Sequence, residues 1–126
     1  MVGIAFRYIV DDVEAAIGFY RDDLGFQLDM HPAPSFAALS RDGVSLYLSS
    51  PSAAGGGGQS VDGMAPTPGG WNRLQLVVDD LPASMARLKA AGRRFRGDLI
   101  TGVGGDQALV LDPSGNLVEL FQPKRR

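Results

Sequence analysis

The chain carries one structural plan twice. Ile9-Val10-Asp11-Asp12-Val13 is matched by Val77-Val78-Asp79-Asp80-Leu81. Gly43-Val44-Ser45-Leu46-Tyr47-Leu48 is matched by Gly115-Asn116-Leu117-Val118-Glu119-Leu120. An internal repeat constrains a fold more than any single element, because each copy must solve the same packing problem. Two copies in 126 residues describe a pseudo-symmetric pair, not a solenoid, which needs about three repeats or more.

In the first copy, Ile4 to Val10 alternates as a strand, with Phe6, Tyr8 and Val10 on one side and Ala5, Arg7 and Ile9 on the other. Asp11 and Asp12 offer a helix N-cap, with Glu14 as the capping-box partner of Asp11. Val13, Ala16, Ile17, Tyr20 and Leu24 recur at helical spacing, which predicts a helix from Asp12 to Asp23, closed by Gly25. Strands are predicted at Phe26–Met30, Phe36–Ser40 and Val44–Ser49. The group around His31, Pro32 and Pro34 reads as a turn, and Arg41-Asp42-Gly43 as a hairpin turn.

The second copy follows suit. Leu74 to Val78 is a strand. Asp79-Asp80-Leu81 begins a helix with an apolar stripe of Leu81, Met85 and Leu88, closed by Gly92. Pro82 is tolerated in its first turn. Phe95 lies on a short strand, Leu99–Val103 is a further candidate, and Gln107–Leu111 and Leu117–Phe121 complete the set around an Asp112-to-Asn116 turn. Between the copies, Ser50 to Gly70 has no period and holds four consecutive glycines, Gly55 to Gly58. This stretch is open to two readings, a mobile linker or a lid. The tail Lys124-Arg125-Arg126 is basic and reads as solvated.

Strand alternation sorts the residues by face. Phe6, Tyr8, Val10, Leu46, Leu48, Leu74, Leu76, Val78, Val110, Val118 and Leu120 form an apolar face for the helices. The opposite face carries Arg7, Ser45, Tyr47, Ser49, Arg73, Gln75, Gln107 and Glu119, with Ile9, Val77, Leu109 and Phe121 among them. A face of mixed character is either solvated or lines a pocket. The expected fold is α+β: two tandem βαβββ modules forming a curved, cup-shaped mixed sheet, with one helix per module on the outer face. The expected organisation is a single domain with module 1 at 1–50, a linker at 51–70, module 2 at 71–122 and the tail at 123–126.

Composition narrows the functions. A net charge of −2 gives no electrostatic reason to expect nucleic acid or an anionic membrane as partner. The chain has no cysteine, so disulfides and thiolate metal sites are out of reach, which fits a cytoplasmic protein. No run approaches the roughly 20 apolar residues of a membrane-spanning helix, and no signal peptide is expected.

The segment Tyr8-Ile9-Val10-Asp11-Asp12-Val13 leading to Phe19-Tyr20 and Leu24-Gly25-Phe26, together with Asp112-Pro113-Ser114-Gly115-Asn116-Leu117-Val118-Glu119-Leu120, resembles the vicinal oxygen chelate superfamily. That group includes glyoxalase I, extradiol dioxygenases and the bleomycin and fosfomycin resistance proteins. The resemblance covers nearly the whole chain and is weakest over the glycine-rich linker. It implies paired βαβββ modules in a U-shaped cup, often in a homodimer. In metal-using members it implies ligands on the first and last strands of each module, and the corresponding positions here are Ala5, Tyr47, Arg73 and Glu119. Of these, Glu119 is the usable ligand: alanine has no donor, and a guanidinium stays protonated. A divalent site typically takes about three protein ligands or more. No metal of the usual kind and no cofactor is therefore expected, nor the glyoxalase, dioxygenase or fosfomycin-transferase chemistry that depends on one.

Organic recognition remains. Arg73 and Glu119 form either a structural salt bridge or a ligand site in which Arg73 forks onto a carboxylate, phosphate or carbonyl, with Arg7 assisting. Tyr47 packs or donates its hydroxyl. Trp71, next to Asn72, stacks on a flat ligand or pins the linker. Gln75 and Gln107 hydrogen-bond a ligand or each other. His31, the single histidine, reads as a solvated turn residue. Neither Gly102-Val103-Gly104-Gly105 nor Gly55–Gly58 is followed by a helix and a Lys-Ser/Thr pair, so neither is a phosphate cradle. No nucleophile–base pair is readable. If a reaction occurs, Glu119 as general base and Arg73 are the candidate catalytic residues. The expected function is metal-independent binding of a small organic molecule, in the style of the bleomycin-resistance proteins. The alternatives are a lyase- or isomerase-like enzyme acting on a small oxygenated metabolite, possible also with a metal held in some other way, and an interaction module without a small ligand.

Overall fold

The structure is a computed structural model that describes residues 3–52 and 55–124. The chain divides into two compact units at the Gly69–Gly70 boundary.

The first unit contains β1 (Ala5–Ile9), α1 (Val13–Ile17), a π-helical stretch (Gly18–Asp23), β2 (Gln27–Ala33), β3 (Phe36–Arg41) and β4 (Val44–Ser49). Its strand order is β1-β4-β3-β2, with β1 parallel to β4 and the other pairs antiparallel. Asp12 caps α1: its backbone is extended, and its carboxylate accepts the amide of Ala15 at 3.1 Å. The uniform α-helix expected to Asp23 gives way after Ile17 to a wider turn, in which Leu24 N donates to Phe19 O at 3.2 Å. The reason lies in Phe19 and Tyr20, adjacent in sequence and both fully buried. Neighbours on an α-helix point roughly 100° apart, and a wider turn narrows that angle, so both rings enter the core. Gly25 ends the helix at φ +75°, and Arg41 Nη1 donates to the Leu24 carbonyl at 2.8 Å.

A further difference from the expected elements occurs in the first unit. Of the turn expected around His31, Pro32 and Pro34, the structure turns at Pro34–Ser35, and His31 and Pro32 do not take part. They lie on β2, where the pairing with β3 slips between Leu28 and Met30 and again between Met30 and Ala33. An edge strand with bulges tolerates a proline because no ladder bond needs its missing N–H. The segment after β4 is not featureless either. Ser52 N donates to Gly58 O at 3.0 Å, and Val61 and Met64 exchange a pair of 2.9 Å backbone bonds.

The second unit contains β5 (Leu74–Val77), α2 (Leu81–Ala90), β6 (Phe95–Thr101), β7 (Gly105–Leu111) and β8 (Leu117–Pro123), in the order β5-β8-β7-β6. Asp80 repeats the role of Asp12 and accepts from Ala83 N at 3.0 Å. Leu81, Met85 and Leu88 are buried, as are Val110, Val118 and Leu120 on the sheet face that α2 covers. Gln122 ties the layers together, its Oε1 accepting the Leu81 amide at 2.7 Å. Phe95 and Leu99–Val103 do not make two strands. One strand runs from Phe95 to Thr101, with a slipped register between Arg96 and Ile100 where Gly97 takes φ +73°. In the β7–β8 turn, Asp112 Oδ1 accepts the amides of Ser114 and Asn116, each at 2.9 Å, and Oδ2 accepts Asn116 Nδ2 at 3.0 Å.

The expected curved, cup-shaped sheet is not formed. The strands make two separate four-stranded mixed sheets, each keeping two edge strands and neither closed nor strongly curled. Neighbouring strands twist by only about 20–25°, and closure takes about eight strands with a consistent stagger, so four strands alone stay open. Among the described residues no helix is long and apolar enough to cross a membrane.

Candidate functional site

On the second sheet, the parallel pairing of β5 with β8 sets Gln75 beside Glu119, and the antiparallel ladders extend that row through Leu109 to Arg96. Cross-strand partners share a face, so these four side chains lie on the side away from α2. Glu119 is 7% exposed, and an acid this deep in a sheet needs partners. It has them. Oε1 accepts Arg73 Nε at 3.0 Å and lies 2.9 Å from Nη2, while Oε2 accepts Gln75 Nε2 at 2.8 Å. Arg73 also donates from Nη1 to the Trp71 carbonyl at 3.2 Å. Trp71 is 65% exposed, and the Arg96 guanidinium carbon stands 5.2 Å from its ring centroid.

The next row of this face is Val77, Phe121, Gln107 and Ile100. Val77 and Ile100 are more than half exposed. Gln107 lies in a different row from Gln75, whose amide is committed to Glu119. Asn72 is exposed. The result is a half-apolar surface with a fixed polar cluster at one edge.

The corresponding face of the first sheet is built differently. Arg7 and Tyr47 are register partners, and the guanidinium carbon lies 5.3 Å from the Tyr47 ring centroid. Tyr47 packs edge-on against Phe36, centroids 5.5 Å apart. Arg7 Nη1 donates to Ser49 Oγ and to the Gly56 carbonyl, each at 3.2 Å, and Ser49 Oγ donates to the same carbonyl at 2.6 Å. The glycine run thereby acquires a role: a Cβ on Gly57 would run into the Arg7 guanidinium, and one on Gly58 into the Ser50 carbonyl. The strap needs glycines because it lies directly on the arginine and on its own backbone.

Arg73, Gln75 and Glu119 are thus brought into one cluster, with Trp71 beside it. Arg7 and Tyr47 are brought together in the other unit, with a backbone carbonyl already at the arginine. Arg96 was not among the expected site residues. Its alternation with Phe95 was readable, but its position beside Leu109 depended on the register of a bulged strand.

The positions that the resemblance marks as metal-ligand equivalents carry side chains that do not fit a divalent ion. Ala5 and Tyr47 in the first unit, and Arg73 and Glu119 in the second, offer one carboxylate whose oxygens already hold three close N–H donors. Among the described residues no group of three or more His, Cys, Asp and Glu side chains is placed to hold a metal ion.

The model of the Glyoxalase/Bleomycin resistance protein/Dioxygenase superfamily matches residues 4–120. No curated protein sequence matches the chain. Among solved structures, a glyoxalase/bleomycin resistance protein from Streptomyces sp. CB03234 is 31% identical with a TM-score of 0.65, the match covering 94% of this chain and 97% of that one. TnmS3, an antibiotic binding protein from the same organism, is 28% identical with a TM-score of 0.66 and 98% coverage of both chains. Lactoylglutathione lyase from Agrobacterium tumefaciens is similar in fold, with a TM-score of 0.72 at 20% identity, covering 96% of this chain and 92% of that one.

Proposed function

The chain belongs to the glyoxalase/bleomycin resistance protein/dioxygenase superfamily, and from that premise we propose that its second module binds a small organic molecule on the sheet face of Arg73, Gln75 and Glu119, without a metal ion of the usual kind. The observation that carries this reading is the state of Glu119. An acid that accepts from Arg73 at one oxygen and from Gln75 at the other is held as a fixed anchor. Its lone pairs are largely committed, which suits a preorganised binding wall better than a metal ligand or a mobile base. The similarity to TnmS3, which is described as an antibiotic binding protein, adds to the case for sequestration of a ligand. On the same reading the protein works as a homodimer, which sedimentation equilibrium checks.

Calorimetric titration with zinc, nickel, manganese and ferrous ions tests the reading. The expected result is no stoichiometric heat. Binding of one ion per chain at micromolar affinity or better, abolished by Glu119→Gln, overturns it in favour of a metal-dependent lyase- or isomerase-like enzyme.

A further inference from the structure

Resting on the reading that this face of the second sheet holds the ligand, we propose that Trp71 and Arg96 select its chemistry: a flat aromatic molecule bearing an acidic group, its ring on the indole and its anionic group on the guanidinium.

The geometry behind this is the distance the pair spans. Trp71 precedes β5, one edge of the sheet, whereas Arg96 lies on β6, the opposite edge. Three strand spacings separate those edges, about 14 Å. The guanidinium nevertheless stands 5.2 Å from the indole centroid. The Trp71 backbone is held there by the bond from Arg73 Nη1 to its carbonyl.

Charge supplies the second part. Arg73 is matched by Glu119, whereas among the described residues Arg96 has no carboxylate within ion-pair distance, so its charge has no direct counter-ion. A guanidinium stacked on a ring uses its flat side, and its five N–H donors radiate in its plane. Arg96 can therefore keep the indole and still fork onto a carboxylate or sulfonate. The third part is apolar. Trp71, Val77 and Ile100 are each more than half exposed on or beside this face, and a flat hydrocarbon surface covers such groups at little cost in ordering.

Trp71 is the chain's one tryptophan, so its indole N–H gives a single, self-identifying NMR resonance. The experiment titrates 2-naphthoate and its uncharged counterpart 2-naphthamide into ¹⁵N-labelled protein, following that resonance and the side-chain amides of Gln75 and Gln107. The acid is expected to bind about tenfold more tightly than the amide, as a charged hydrogen bond implies. Arg96→Gln, verified by an otherwise unchanged amide spectrum, is expected to erase that preference, so that the acid binds no more tightly than the amide. Equal affinities in the unaltered protein, or a preference that survives Arg96→Gln, overturn the selection while leaving the ligand face standing, provided the Gln75 and Gln107 signals still move. Saturable shifts that spare Trp71, Gln75 and Gln107 altogether overturn both.

Discussion

Arg73 and Glu119 meet through a single oxygen. Nε and Nη2 of the guanidinium both point at Oε1, at 3.0 and 2.9 Å, and the other carboxylate oxygen is left to Gln75. The pair is lopsided in exposure, with the Glu119 side chain at 9% and that of Arg73 at 27%. Removing the arginine therefore strands an acid that water reaches poorly. Arg73→Met is expected to lower stability by about 2 kcal/mol, below the range for a fully buried pair because Arg73 is partly solvated. The double variant Arg73→Met/Glu119→Met should recover part of that loss. Urea unfolding measures both, and an Arg73→Met protein as stable as the parent contradicts the assignment.

The strap over the first sheet makes a sharper case for its glycines. Gly57 and Gly63 both have positive φ, +89° and +75°. An added Cβ meets nothing within 4 Å at Gly63 but strikes Arg7 at Gly57. Each alanine substitution bears a left-handed backbone cost of about 1–2 kcal/mol. Gly57→Ala should cost about 1 kcal/mol more than Gly63→Ala, because Arg7 must leave the Gly56 carbonyl and Ser49. Faster proteolytic nicking between residues 55 and 60 in the Gly57 variant alone would accompany it. Identical behaviour of the two variants would show that the Arg7 contact holds nothing in place.

The Asp112 turn gathers three donors on one carboxylate, and Asp112 and Asn116 are 3% and 2% exposed. Asp112→Ala removes the acceptor of these three N–H bonds and is expected to cost about 3 kcal/mol. Asp112→Asn, which keeps one carbonyl oxygen for the two backbone amides, should lose clearly less. Thermal denaturation ranks the two, and an alanine variant no worse than the asparagine would refute the account.

Asp12 and Asp80 cap their helices with the same geometry, accepting the amide three residues on at 3.1 and 3.0 Å. Either residue changed to alanine is expected to cost about 1 kcal/mol. The repeat makes the two losses comparable, and chemical denaturation of the two single variants checks this. A negligible loss at one site would show that its helix is held by packing alone.

Much of this protein was legible from its letters because local periodicity is a local property. Alternation placed Val110, Val118 and Leu120 under a helix, and Asp12 and Asp80 announced their helices by side-chain chemistry. The period of two put Arg73 and Gln75 on one side of their segment, and the β5–β8 register then set Glu119 beside them. The Asp42-Gly43 hairpin followed from residues that accept positive φ, +51° and +78°.

What only the tertiary structure decided depends on where distant segments meet. The slips in β2 and β6 arise between strands, so His31-Pro32 joined a strand and Phe95 was continuous with Thr101. The wide turn at Phe19 and Tyr20 answers to a core that two adjacent rings must enter. The two sheets remain separate because a ladder continues only where backbone groups pair. Arg7 received a glycine carbonyl from residue 56, and Arg96 a tryptophan from the far edge of its sheet. Such contacts follow from chain path and register, which no window of neighbouring residues encodes.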